Sequence, residues 1–160
     1  MTTTGEATLS PRFTRLLRES RWLVVVAALA FLALILATYT RTDPGWSFSG
    51  SGEALGNRGG VVGAWLADLL LYLFGFSAWW LVAAGVVLIV SGYRRIAEPD
   101  RATDHPLLYG AIGFSIVLVA SASIEAIRLW RLPAALPGSP GGAVGDLVGG
   151  SLAGALGFNG

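Results

Sequence analysis

The sequence predicts an all-α polytopic integral membrane protein: a helical bundle with two Gly-rich interfacial helical segments. Three observations lead there. Hydrophobic residues make up 54% of the chain and charged residues 13%, with a mean hydropathy of +0.64, whereas a soluble domain carries about 25% charged residues. The apolar residues are bunched into long uncharged runs rather than spaced as a soluble core would space them. All eleven basic residues are Arg, none is Lys, and they collect on alternate sides of those runs. The chain has no Cys, which excludes disulfides and cysteine metal sites.

Residues 1–21 read as a cytoplasmic tail carrying Arg12, Arg15, Arg18 and Arg21. On a helix that spacing drifts slowly around one face, suited to anionic headgroups at roughly 1 kcal/mol per Arg. Residues 22–40 form the first span, nineteen residues without a charge. At about 1.5 Å per residue the run reaches roughly 28 Å, close to the ~30 Å hydrocarbon thickness. Trp22 and Tyr39 stand at its two ends, where amphipathic rings prefer to lie. The run is longer than the ~7–15-residue core of a cleaved signal, and no small-x-small site follows before Asp43, so it reads as a retained anchor.

The next apolar run, 59–92, is too long for one span, since its thirty-four residues would extend roughly 50 Å as a helix. Asp68 sets the boundary. A carboxylate at mid-span costs about 2.5–3.5 kcal/mol, and far less at the interface. Residues 41–68 then form an outward loop with a short interfacial helix over 60–68, anchored by Trp65. Residues 69–92 form the second span, with Gly75 permitting a bend. Asp68 is expected to be neutralised locally, with Arg58 as its partner. Residues 93–106 make a cytoplasmic loop. Pro106 suits the start of the third span, 107–124, whose Ser and Gly residues favour close approach to another helix. Glu125 marks its outer end, with Arg128 three residues on partly neutralising it. Residues 125–160 are an outward Pro/Gly-rich segment.

Arginine sets the orientation. Seven Arg lie in the tail and in the 93–106 loop; Arg41, Arg58, Arg128 and Arg131 lie on the other side. The N-terminus is therefore expected in the cytoplasm.

An internal repeat is also expected. GGVVGAWLADLLLYLFGF at 59–76 aligns with GGAVGDLVGGSLAGALGF at 141–158, an offset of 82 residues. Gly59, Gly60, Val62, Gly63, Leu70, Gly75 and Phe76 find identical partners. The bulk of the second span has no counterpart within the chain, so a fourth span is expected immediately beyond Gly160, as in parallel-repeat membrane proteins.

Nothing in the sequence points to catalysis, a cofactor or a metal. A phosphate-binding loop needs a Lys, and there is none. His105 is the sole imidazole and has only Asp104 beside it, which reads as a solvated loop. The Gly-rich stretch 138–150 reads as a turn followed by a closely packed helix. The residues expected to matter are structural: Asp43, Pro44, Trp46, Gly59, Gly60, Gly63, Trp65, Asp68, Gly75, Gly141, Gly142 and Gly145.

Asp43-Pro44-Gly45-Trp46-Ser47, then Asn57-Arg58-Gly59-Gly60, then Gly63-Ala64-Trp65-Leu66-Ala67-Asp68, then Phe74-Gly75, stand in an order that resembles the N-terminal four-span membrane domain of FtsK/SpoIIIE-type bacterial DNA translocases. The resemblance is sharp over 43–78 and rests on span layout elsewhere. It implies a multi-pass bacterial inner-membrane domain with cytoplasmic termini. That domain would anchor, oligomerise and target a DNA translocase to the division septum, beside other divisome membrane proteins. It also implies that ATP, Mg and DNA are handled by a motor outside these residues. Two other readings stay open: a free-standing small membrane scaffold, and a small transporter or channel subunit. The latter would need a polar lining, for which the spans offer only Ser77, Ser115, Ser121 and Ser123.

Overall fold

The computed structural model describes residues 11–52, 54–97, 106–129, 135–155 and 157, and among them every regular element is helical. In chain order these are α1 (Pro11–Ala37), α2 (Gly60–Phe74), α3 (Trp79–Ala97), α4 (Pro106–Arg128) and α5 (Gly142–Ala155), with one 3-10 turn at Gly75–Ala78. Arg101, Asp104, His105, Arg131 and Phe158 lie outside the described residues.

α1 starts at a proline, whose fixed φ and missing N–H suit the first helical position. The later part of the expected tail is therefore helical and continuous with the first apolar run. The helix stops at Ala37, short of Thr40. Its last carbonyls are taken by side chains: Thr38 Oγ1 donates to Leu34 O at 2.7 Å, and Asn57 Nδ2 donates to Ile35 O at 2.9 Å. Leu34 O also takes the Thr38 N–H at 3.0 Å, while Asn57 gives Ile35 O a donor from outside the helix, and the chain turns away.

Asp68 does not mark a helix boundary. α2 runs through it without a break and ends at Phe74; the interruption falls at Gly75–Ala78. Gly75 takes φ +58 and ψ −137, a region open essentially to glycine. The Phe76 N–H leaves the helical ladder and donates to Pro140 O at 2.9 Å. The bend is thus imposed by the segment before α5 pressing against the α2–α3 junction.

α3 returns antiparallel along α1. Gly85 lies against Leu29 and Gly92 against the Trp22 ring, each too close for a Cβ. Residues Ile35, Leu36, Ala67, Leu71, Ala78 and Leu136 form the buried core. It sits at the end of the bundle where the loops are, and most other apolar side chains face outward. Leu23 is 71% exposed, Val62 73% and Leu107 71%. Three stretches, Ser20–Ala37, Gly60–Gly92 and Leu107–Arg128, are long and apolar enough to cross a membrane. A soluble monomer does not expose contiguous apolar surface on this scale; a bilayer accepts it.

The backbone repeats itself at the spacing seen in the sequence. Gly60 has φ +69 and Gly142 +64; Gly75 has φ +58 and Gly157 +70. Gly63 N donates to Gly59 O at 3.1 Å, and Gly145 N to Gly141 O at 3.1 Å. Gly60 N reaches Asn57 O, and Gly142 N reaches Ser139 O. Each Gly-Gly pair opens a helix that packs on the long helix before it, α2 on α1 and α5 on α4.

Candidate functional site

The loop between α1 and α2 folds back over α2 through two buried carboxylates. Asp43 is 7% exposed and accepts from Gly56 N and Asn57 N, both at 2.8 Å. Pro44 packs under Gly50, which takes φ +93. Gly45 lies flat on Asp68, where a Cβ would come within 2.6 Å of the carboxyl carbon, and its N–H closes the turn on Phe48 O at 2.8 Å. That turn presents Ser47 to Asp68. The Ser47 N–H donates to Oδ2 at 2.6 Å and its hydroxyl to Oδ1 at 2.9 Å. The Tyr39 hydroxyl donates to Oδ1 at 3.0 Å.

Asp68 is 4% exposed, and its partners correct the expected pairing with Arg58. The backbone N–H of Arg58 donates instead to Thr38 Oγ1 at 3.1 Å. One amide and two hydroxyls give charge-assisted hydrogen bonds without the cost of stripping water from a guanidinium. Tyr39 lies beyond the end of α1. Burial first, and then the Asp68 carboxylate it donates to, push its phenol well above the usual tyrosine value. It stays a donor at any physiological pH.

Asn57 ties this loop to both helices. Its Oδ1 accepts from Gly59 N at 2.8 Å while its amide caps Ile35 O. Gly59 and Gly63 leave the space that Ile35 fills; a Cβ on Gly63 would stand 2.8 Å from Ile35 Cγ2 and 2.9 Å from Asn57 Oδ1. Gly63→Ala should therefore lower stability by about 1–3 kcal/mol through overpacking. Adding Ile35→Leu moves the branch off Cβ and should recover part of the loss. Thermal unfolding of the two variants in detergent checks this. Gly60 has open space around it, so its role is its positive φ. Trp46 and Trp65 meet edge to face, centroids 6.0 Å apart at 87°. Both rings stay substantially exposed.

A second carboxylate staple joins α4 to the α2–α3 break. Ser77 N donates to Glu125 Oε2 and Ser77 Oγ to Oε1, both at 2.9 Å. Ser121 Oγ adds a bond at 3.1 Å and itself accepts from Trp80 Nε1 at 3.1 Å. Glu125 thus takes its hydrogen bonds from Ser77 and Ser121. Beside this staple, Gly141 and Gly145 press on Ala122 O, and Gly149 comes close to Ser123 O. Gly142 meets the backbone of Leu73 and Gly75. Glu125→Gln keeps one acceptor oxygen and turns the other into a donor facing the serines. It should cost about 1–2 kcal/mol and show as faster proteolysis near residues 135–140.

The twelve residues singled out in the sequence thus fall into two groups. Asp43, Pro44, Trp46, Gly59, Gly60, Gly63, Trp65 and Asp68 build the loop end of α2, and Gly75, Gly141, Gly142 and Gly145 the junction with α5. The hydrogen bonds made by Tyr39, Ser47, Asn57 and Ser77, and the acceptor role of Glu125, were not among the expectations from sequence. Their partners lie 21 to 48 residues away where Ser47, Tyr39 and Ser77 are concerned, beyond any local spacing rule. Among the described residues, no three His, Cys, Asp or Glu side chains converge as a metal site. Asp43, Asp68 and Glu125 accept their hydrogen bonds from donors of the chain itself.

The sequence that forms these helices and this loop matches a family model along nearly its whole length. The family model for the 4TM region of DNA translocase FtsK/SpoIIIE covers residues 14–160. The chain belongs to this family. DNA translocase FtsK 2 of Ralstonia nicotianae is 41% identical over 99% of this chain, which spans 21% of that protein. DNA translocase FtsK 1 of Neisseria meningitidis serogroup B is 34% identical over 91% of the chain and 18% of its own length. DNA translocase FtsK of Vibrio vulnificus is 31% identical over 82% of the chain and 13% of its own length. The chain therefore corresponds to about a fifth or less of these FtsK relatives. No solved structure matches it.

Proposed function

We propose that this chain is the membrane-anchoring, oligomerising and septum-targeting domain of a DNA translocase that acts in cell division and chromosome segregation. The observation that carries the reading is the join between the three apolar stretches and the tied outer loop. Lipid holds the domain in place, and the loop offers partners one defined surface. In this reading the N-terminus and the 93–106 loop are cytoplasmic, and the 41–59 loop and the segment after α4 face outward. Trp46 and Trp65 sit at the outer headgroups. ATP hydrolysis and DNA movement belong to a motor elsewhere in a longer polypeptide.

A transporter reading has less support. Ser115 and Ser123 donate back to Ala111 O and Val119 O of their own helix, while Ser77 and Ser121 are committed to Glu125. Each of these hydroxyls already has a partner within the chain.

A fluorescent fusion in dividing cells tests the proposal. We expect a band at the septum and, after chemical cross-linking, a ladder of oligomers. Uniform fluorescence around the membrane together with a monomer on cross-linking would contradict the targeting and assembly roles.

A further inference from the structure

A cavity of about 340 Å³ opens beside the α1–α2 loop, lined by Arg41, Thr42, Ser47, Phe48 and Pro137. Backbone bonds fix its walls. Arg41 and Thr42 stand at the tip of a turn that the Asp43 N–H closes on Thr40 O at 3.2 Å, and the Ser51 N–H holds Thr42 O at 3.1 Å. Ser47 and Phe48 belong to the turn seated on Asp68. Pro137 follows Leu136, which is buried in the core. The lining thus joins the α1–α2 loop to the segment before α5.

The polar groups of this lining are unevenly used. Ser47 gives both its donors to Asp68. Among the described residues, the Arg41 guanidinium and the Thr42 hydroxyl make no hydrogen bond or ion pair, and both residues are exposed. A guanidinium is a planar fork that matches two oxygens of a phosphate, and a neighbouring hydroxyl supplies one donor more. Arg41 is the first charged residue after nineteen uncharged ones. A run of that length ends at the depth of the headgroups, where lipid phosphates lie. A bare anion is poorly matched, because two buried carboxylates adjoin the cavity. Asp43 follows Thr42, and Asp68 accepts from the Ser47 N–H at 2.6 Å. Their charge favours a ligand that carries a cation beside its phosphate. Phe48 is 47% exposed, and the face of such a ring attracts an ammonium.

We propose that this cavity binds the zwitterionic headgroup of a phospholipid, its phosphodiester on Arg41 and Thr42 and its ammonium over Phe48. The volume is at the low end of small-ligand pockets, which run from about 300 to 1,000 Å³, and suits a headgroup whose acyl chains stay in the bilayer. A headgroup seated between Phe48 and Pro137 ties the α1–α2 loop to the segment before α5. Lipid composition then bears directly on how firmly the two are joined.

The full chain, purified in detergent and stripped of lipid, is titrated separately with phosphatidylethanolamine, phosphatidylglycerol and inorganic phosphate. Native mass spectrometry counts the bound lipid, and thermal unfolding reads all three ligands. One phosphatidylethanolamine should be held in preference to phosphatidylglycerol and should raise the unfolding temperature. Arg41→Gln should weaken its binding roughly tenfold, the loss expected for one charge-assisted hydrogen bond. Thr42→Val should weaken it less, and Phe48→Leu should narrow the preference over phosphatidylglycerol. Arg58→Gln, in an exposed loop residue outside the lining, is the control and should change nothing. The Arg41 and Thr42 side chains hold no part of the fold, so near-UV circular dichroism should be the same in both variants. Equal binding by Arg41→Gln and the parent chain would overturn the proposal, as would an equal loss in Arg58→Gln. Phosphatidylglycerol held as well as phosphatidylethanolamine would overturn the zwitterionic assignment. Equal stabilisation by inorganic phosphate would make this a free-anion site and overturn the lipid assignment.

Discussion

Gly75→Ala is expected to undock the segment before α5 from the α2–α3 junction. Gly75 stands at φ +58 and ψ −137, where an L-residue is strained by about 1–3 kcal/mol. The added methyl would also overlap the Pro140 carbonyl oxygen. That atom is backbone, held by its bond from Phe76 N, so no rotamer change relieves the overlap. Overpacking of this kind costs a further ~1–3 kcal/mol, for a total near 4 kcal/mol. Gly60→Ala is the control. Gly60 also has a positive φ but open space around it, so only the strain applies, about 1–2 kcal/mol. Thermal unfolding in detergent should show a much larger loss for Gly75→Ala than for Gly60→Ala, with new protease cleavage near residues 135–140. Equal losses would mean that the contact with Pro140 contributes nothing.

Asp68→Ala should release the loop between α1 and α2. It strands three donors, the Ser47 N–H, the Ser47 hydroxyl and the Tyr39 hydroxyl. The hydroxyls can turn to other acceptors, while the amide is fixed. An unsatisfied buried donor costs about 1–3 kcal/mol, and each lost bond of a hydroxyl about 0.5–1.5 kcal/mol. The total is about 3 kcal/mol, or roughly 10 °C in a chain of this size. Trp46 neighbours Ser47 and touches Trp65, one turn before Asp68, so near-UV circular dichroism reads the loop directly. The Trp46 signal, obtained by difference from Trp46→Phe, should collapse in Asp68→Ala and persist in part in Asp68→Asn. An unchanged signal in Asp68→Ala would mean that the carboxylate does not hold the loop.

Composition and run length were enough to read three apolar stretches and an all-helical fold, because lipid leaves a periodic, charge-free signature. The Gly-Gly pairs were legible too, since a repeated glycine at a fixed offset marks a repeated backbone need. Helix ends were less so. Asp68 suggested a boundary because a carboxylate is costly in lipid. In the structure the cost is offset by Ser47 and Tyr39, so the helix passes straight through. The break at Gly75 depends on Pro140, 65 residues further along the chain. Arg58 and Arg128 were natural partners by charge and proximity, yet serines took both carboxylates. A serine that supplies its amide and its hydroxyl together carries no sequence signal of its own.

In the proposed topology the Asp68-tied loop lies on the outer side of the membrane and the α3–α4 connection on the cytoplasmic side. The absence of native cysteine makes the direct measurement simple. Ser49→Cys, exposed in the loop, and Arg94→Cys, exposed near the end of α3, are each treated with a membrane-impermeant maleimide in intact spheroplasts and again after lysis. Ser49→Cys should label fully before lysis and Arg94→Cys only after it. Labelling of Arg94→Cys in intact spheroplasts, with Ser49→Cys protected, would invert this topology and contradict a cytoplasmic N-terminus.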